Sequence, residues 1–326
     1  MDRRTACLSI AALSTLAATP VRAQLGRSAR VAWTSVDRAH PDSPFLASFR
    51  RAMRDAGWVE GRNAAIDTFW GGGSVDGLKK IVPEILASKP DVVVAAGGPA
   101  TRAMIDTNMP LPVVFTSSAD PVIGKIVNGW AQPGVNRTGI SFFALDLIPK
   151  RVELMKELVP GTKRVAIVGW PPHAGELLEL EAAKAAAEKL GLEHRYWGVT
   201  TALELDAALE AIKQWNAGAI LVFAGAVSVS YAERFAAFAA RNRVPAFSSW
   251  AEFAEKGNLM AYGPVLEECY GRLATFVDRI LKGAKPADLP VERPTKFQLV
   301  VNLKAAKEIG IAIPQTIMLR ADRVIG

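Results

Sequence analysis

The sequence predicts an α/β protein built as two doubly wound parallel-sheet lobes of Rossmann type, joined by a three-segment hinge. Three observations carry this: short β-branched runs alternate with helical stretches, the runs are apolar without a period of two, and the whole pattern restarts halfway along the chain. A run such as Val92-Val93-Val94 is apolar on both faces, as a parallel strand covered by helices on each side must be.

Export comes first in the chain. Arg3 and Arg4 precede an uncharged stretch over residues 5–20, then Val21-Arg22-Ala23 and Gln24. The stretch is too short to cross a bilayer core of about 30 Å, and Val21 and Ala23 are small enough for a signal peptidase, so cleavage is expected after Ala23 and the mature chain is periplasmic. Cys7 leaves with the signal, and Cys269 alone remains, which rules out an internal disulfide. Nothing beyond residue 23 is apolar for long enough to span a membrane. The formal net charge of +7 falls to +5 once residues 1–23 are removed. Lys and Arg are dispersed through helical segments instead of clustered, which argues against a nucleic-acid partner.

Strands are expected at 30–35, 64–70, 91–96 and 112–117, with helices at 45–56, 75–88, 99–107 and 121–128. The pattern begins again at 164–169, continues through an Ala- and Glu-rich helix to Gly191, and adds strands at 193–199, 217–224 and 244–249. Val31 to Gly57 and Val165 to Gly191 are each separated by 26 positions, running from a strand to the glycine that closes the next helix. Residues 136–143 and 258–264 interrupt the alternation and are the expected crossovers, the second leading into a long helix over 265–282. If that helix packs on the first lobe and a strand at 296–301 with a helix at 303–309 returns to the second, three segments link the lobes and permit closure over a ligand. The expected division is 1–23 signal peptide, 24–143 with 263–294 as lobe 1, and 144–262 with 295–326 as lobe 2.

Open parallel sheets bind ligands beyond the carboxyl ends of their strands, where helices begin with unpaired N–H groups. In the first lobe these turns hold Thr34-Ser35, Gly97-Gly98-Pro99-Ala100-Thr101 and Thr116-Ser117-Ser118-Ala119-Asp120-Pro121. The glycines let backbone approach a ligand and Pro99 starts a helix without needing its N–H. The hydroxyls of Thr116, Ser117 and Ser118 add donors for a carboxylate, and Asp120-Pro121 reads as a helix cap. In the second lobe the turns are Gly169-Trp170-Pro171-Pro172, Phe223-Ala224-Gly225 and Ser248-Ser249-Trp250, with Phe253 one turn on. The expected site is therefore a polar first lobe (Ser35, Gly98, Pro99, Ala100, Thr101, Thr116, Ser117, Ser118) facing an aromatic second lobe (Trp170, Pro171, Phe223, Ala224, Ser249, Trp250).

Catalytic chemistry has no visible seat. His40, His173 and His194 are scattered, and no C-x-x-C, H-E-x-x-H or G-x-S-x-G occurs. Gly71-Gly72-Gly73 follows a strand without the spacing of a dinucleotide fingerprint or the Lys-Ser/Thr of a P-loop. No catalytic residue, metal or cofactor is expected.

Pro112-Val113-Val114-Phe115-Thr116 running into Ala119-Asp120-Pro121-Val122, then Gln132-Pro133-Gly134 with Asn136-Arg137-Thr138-Gly139, and the tail from Lys282-Gly283 through Pro286-Ala287-Asp288-Leu289-Pro290-Val291-Glu292 to Pro294, resemble the ABC transporter substrate-binding family that includes tryptophan-binding TrpX-type proteins. The resemblance implies a type I periplasmic-binding fold, ligand contacts at the six strand-end turns, and ABC permease transmembrane subunits as partners of a monomer. Amino-acid binders of this kind commonly present an acidic or amide side chain from the second lobe to the ligand's ammonium. The three turns here carry no carboxylate, so the expected ligand is a small carboxylate with an aromatic or apolar body. The alternatives are an exported two-lobed α/β enzyme, which needs acids or a metal in the cleft, and a ligand sensor for a membrane receptor.

Overall fold

The computed structural model describes residues 28–326. The expected signal peptide and its cleavage point after Ala23 lie outside them. The first lobe runs β1 (Ala29–Ser35), α1 (Pro44–Asp55), β2 (Ala64–Trp70), α2 (Val75–Lys80), α3 (Val82–Ala87), β3 (Val92–Ala96), α4 (Gly98–Asp106), β4 (Val113–Ser117) and β5 (Arg137–Ser141). Its five strands are parallel in the order β2-β1-β3-β4-β5. β3 and β4 are buried at every position, as strands with helices on both faces require.

The second lobe contains α5 (Ile148–Leu158), β6 (Arg164–Gly169), α6 (Glu176–Lys189), β7 (Glu193–Gly198), α7 (Ala202–Gln214), β8 (Ala219–Val222), α8 (Ala226–Ser230), α9 (Ala232–Asn242), β9 (Ala246–Ser248), α10 (Ala251–Glu255) and β10 (Met260–Pro264). After α11 (Leu266–Leu281) come β11 (Phe297–Asn302), α12 (Leu303–Ile309), α13 (Gln315–Met318) and β12 (Arg323–Ile325). The seven strands order as β12-β11-β10-β9-β8-β6-β7, parallel except for the antiparallel pair β10–β11.

Helix α11 returns to the first lobe. Cys269, Tyr270, Leu273, Phe276, Val277 and Ile280 form one buried stripe at helical spacing and join Leu46, Phe49 and Met53 of α1 in a single core. Each such fully buried side chain contributes about 1.5–3 kcal/mol. The two helices approach closely because Gly271 has no Cβ: one placed there would stand 2.9 Å from Ser48 Oγ, which itself donates to Glu267 O at 2.7 Å. Cys269, the free cysteine of the described residues, is buried in this stripe, and burial pushes its thiol up to about 12.

The chain thus passes between the sheets three times: after β5, at Val265, and between Glu292, which bridges to Ile140, and β11. β10 stays in the seven-stranded sheet to Pro264, so the second passage falls two residues later than the expected division at 262/263. Residues 136–143 begin with a strand, β5, before the first passage. The single helix expected over 75–88 is broken in two at Ile81, two residues before Pro83, whose ring cannot donate to the preceding turn. Residues 121–128 form no helix. Asp120 Oδ1 accepts from the Val122 and Ile123 N–H groups as a cap does, but Lys125 turns left-handed at φ 53° and stops propagation. Among the described residues no helix is long and apolar enough to cross a membrane.

Gly139 marks the tightest strand contact. A Cβ there would lie 2.0 Å from Phe115 O of β4. Gly139→Ala is expected to part β4 from β5 and cost about 3 kcal/mol, the upper end for overpacking, read as a lowered denaturant midpoint at unchanged slope.

Candidate functional site: facing strand ends of the two lobes

The first-lobe rim is fixed by three side chains. Gly97, at φ 93°, donates its N–H to Thr116 Oγ1 at 2.7 Å. Thr101 Oγ1 donates at 3.0 Å and lies within reach of both Gly97 O and Thr116 O, and the Tyr270 hydroxyl bonds to Thr116 from α11. The hydroxyls of Thr101 and Thr116 therefore hold the β3–α4 turn against β4, and both residues are fully buried. Ala100 lies in the apolar core under this turn, while Gly98 and Pro99 remain half-exposed at the start of α4. Ser117 Oγ accepts from the Ala119 N–H at 3.2 Å, and Ser35 Oγ donates to Asp37 Oδ2 at 2.6 Å. Ser118 remains, and its hydroxyl points across to the other lobe.

There it meets His173. Ser118 Oγ and His173 Nε2 are 2.9 Å apart, a direct side-chain bond between lobes. The Gly175 N–H points at His173 Nδ1 at 3.3 Å, so Nδ1 is the acceptor and Nε2 carries the proton that it donates to Ser118. Glu179 Oε1 lies 3.7 Å behind Nδ1, which superficially arranges Ser, His and Glu in a row. A ring with its proton already on Nε2 cannot take one from Ser118, so the row is a bridge and not an activated nucleophile. Burial pulls His173 down to about 4, keeping it neutral.

Of the aromatic positions, Trp170 is half-buried against the second-lobe core, its carbonyl accepting from the His173 N–H at 2.8 Å. Pro171 is exposed and sits over Gly198 at the end of β7, where a Cβ would come within 2.6 Å of its ring. Phe223 and Ala224 are buried, Phe223 in the core beside Gly169. Trp250 reaches the first lobe: its ring meets Phe142 edge-on at 6.2 Å. Phe142 continues to Tyr270 at 5.9 Å, and Tyr270 to Trp33 at 5.8 Å and Phe45 at 4.5 Å, a row of rings that spans the hinge. The hydroxyls of Ser248 and Ser249 and the Trp250 indole N–H are buried without a protein partner, donors left available at this strand end.

The charged groups of the site lie one step behind the turns. Glu176 and Glu179, in the first turns of α6, are both buried. Glu176 fits where Gly169 has no side chain; its Oε1 would stand 1.8 Å from a Cβ there, and it accepts the Tyr196 hydroxyl at 2.7 Å and the Trp170 N–H. Burial raises both carboxyls, Glu179 to about 8, where Arg151 partly offsets it. Arg151 of α5 is buried, donating from Nε to Tyr262 O at 2.8 Å and from Nη1 to Ala144 O at 3.1 Å. The three second-lobe turns themselves carry no carboxylate; Glu176 and Glu179 lie beyond them, in α6. Glu176 and Glu179 share one face of α6 by their spacing, which does not by itself say that this face turns inward.

Two predictions follow from the bridge. Ser118→Ala removes one hydrogen bond worth about 1 kcal/mol and is expected to shift the open-to-closed ratio about fivefold toward open, measured as distance populations between dyes on the two lobes. His173 has a lower proton affinity folded than unfolded, so stability present above about pH 6.5 is lost as pH falls toward 4. That acid loss should be shallower in His173→Asn, compared by denaturant titration at each pH.

The geometry agrees with known proteins. A model of the family described as ABC transporter substrate binding protein matches residues 45–325. A tyrosine-binding protein of Clostridioides difficile (strain R20291) is 22% identical over 287 residues, covering 88% of this chain and 81% of that protein. Among solved structures, a conserved domain protein of Vibrio cholerae O1 biovar El Tor superposes with a TM-score of 0.84 at 27% identity, over 91% of this chain and all of the other. The ABC domain of Streptococcus pneumoniae in complex with L-Trp superposes with a TM-score of 0.81 at 24% identity, over 92% of this chain and 100% of the other.

Proposed function

The chain belongs to the ABC transporter substrate-binding protein family, and from that premise we propose that it is the exported, periplasmic solute-binding subunit of an importer, closing on a small aromatic amino acid and delivering it to the transmembrane permease. The observation that carries the reading is the direct Ser118–His173 bond between two lobes joined by three chain passages, a closed arrangement of facing strand ends. The ligand contacts belong to this proposal. Gly98 with its backbone N–H and Ser117 and Ser118 with their hydroxyls are assigned to the ligand carboxylate, Pro99 to apolar contact beside them, and Ser249, Trp250 and Trp170 to the second-lobe side.

The ligand class draws on two relatives, one named for tyrosine and one solved with L-Trp. It also draws on the buried carboxylates of α6, which remove the objection to an ammonium-bearing ligand. Binding without turnover distinguishes this role from that of an exported enzyme. A protein working alone needs no second subunit to complete the cleft, which suits a monomer.

Thermal melts of the mature chain against aromatic, branched and small amino acids, aromatic carboxylates and sugars test the reading. A ligand at 100 times its Kd stabilises by about 2.7 kcal/mol and is expected to raise the midpoint by several degrees for aromatic amino acids, with the compound recovered unchanged by mass spectrometry. A chemically altered product would point to the enzyme, and a shift confined to sugars would remove the amino-acid reading.

A further inference from the structure

The first passage between the lobes holds a backbone conformation that its own side chain disfavours. Phe143 stands at φ 58°, in the left-handed region, where Cβ crowds the following carbonyl and a bulky residue is an outlier. The other non-glycine residues with positive φ among the described ones are Lys89, Asn108, Lys125, Asn216 and Arg243, which close helices or a turn. Phe143 closes none: it follows β5 and precedes the short turn Leu145–Leu147. Its two neighbours are held by different lobes. The Phe142 N–H donates to Ser117 O at 2.7 Å and its ring packs in the first-lobe core, whereas Ala144 O accepts from Arg151 Nη1 of α5 at 3.1 Å. The change of lobe therefore falls on one residue.

The third passage meets it there. Glu292 still belongs to the first lobe, since its N–H donates to Gly139 O at 2.9 Å and its carboxylate accepts Nε and Nη2 of Arg272 at 2.8 and 2.9 Å. The next residue, Arg293, is exposed along the chain but places its guanidinium carbon 4.6 Å from the ring centroid of Phe143 and 4.6 Å from that of Trp130. Trp130 is part of the first lobe, packed on its core, with its carbonyl accepting the Val291 N–H at 2.8 Å. Arg293 thus ties the ring of the left-handed residue to the first lobe.

Resting on lobes that open and close, as the binding role above requires, we propose that Phe143 is the pivot of the hinge and Arg293 its clamp. Phe143 is left-handed while the lobes are closed and returns to negative φ as they part; the stack on Arg293 offsets the backbone cost only in the closed form. Magnitudes decide which effect wins. Left-handed backbone disfavours a residue with a side chain about five- to thirtyfold, and one cation–ring contact at an exposed site recovers about two- to fivefold. The contact with Trp130 persists in both states, because both partners sit on the first lobe. The hinge on its own therefore leans toward open, and closure requires the Ser118–His173 bond and a bound solute to hold it.

Distance populations between dyes on the two lobes of the mature chain, without added solute, test this. Arg293→Gln keeps the length of the side chain without its charge and is expected to shift the ratio two- to fivefold toward open. Phe143→Gly is then made in the Arg293→Gln background, where no cation–ring contact is left to lose. It is expected to shift the ratio at least fivefold back toward closed, since glycine adopts positive φ freely. Phe143→Asn, a residue that tolerates left-handed backbone, should move it the same way by less, and serves if the glycine variant does not fold. A ratio unchanged within twofold on adding either Phe143 substitution means that φ is the same in both states and overturns the pivot, whatever happens to denaturant stability. An unchanged ratio in Arg293→Gln overturns the clamp. Ser118→Ala separates the two levels of failure: a shift there with none in the hinge variants overturns the pivot alone, and one fixed distance in every variant overturns lobe opening with it.

Discussion

Arg151 lies on the first helix after the chain leaves the five-stranded sheet, with its guanidinium buried and two of its N–H groups fixed on main-chain carbonyls. One carbonyl belongs to Ala144, in the first passage between lobes; the other belongs to Tyr262, in the strand that leads to the second. One hinge segment and the second-lobe strand that leads into another are thereby fastened to one side chain. A lysine, with its compact single ammonium, has no planar fork to span both carbonyls. The clamp ties the first passage out of the five-stranded sheet to the second lobe, whose His173 meets Ser118.

The two rims differ in how they are made. On the first lobe the turn is rigid before any ligand arrives, because Thr101, Thr116 and Tyr270 interlock around Gly97 and leave only Ser118 directed outward. The second lobe instead carries groups without protein partners: the hydroxyls of Ser248 and Ser249, the Trp250 N–H, and the Glu179 carboxyl. A preorganised face against an uncompensated one is a sensible division for a binding protein. The rigid face sets orientation at little entropic cost, and the uncompensated face makes closure depend on what fills it.

Much of this was legible in the sequence. Strand positions, the restart of the pattern and the return of the long helix follow from local composition, and the turns at Gly97, Thr116, Gly169 and Ser248 do lie at the carboxyl ends of β3, β4, β6 and β9. The charged residues behind them were not legible, for a physical reason seen in α6. Leu177 is 77% exposed while Glu179, two residues on, is 1% exposed. In a helix with apolar and acidic residues on nearly every side, periodicity does not say which face turns inward; packing against α5 and the gap left by Gly169 settle it. Arg151, beside Lys150, reads like a solvated surface charge for the same reason. The helix expected after Asp120 failed because a correct cap does not guarantee propagation past a left-handed residue such as Lys125.

The row of rings across the hinge has an optical consequence. Trp33 stands at one end, wholly within the first lobe, and Trp250 at the other is carried by the second, joined to the row through Phe142 alone. Separation of the lobes breaks that last contact and moves one indole from an apolar neighbourhood into water, while the other keeps its surroundings. The protein thus contains its own gauge of lobe separation, in which a red shift of native tryptophan emission reports opening and its reversal reports capture, with no label attached.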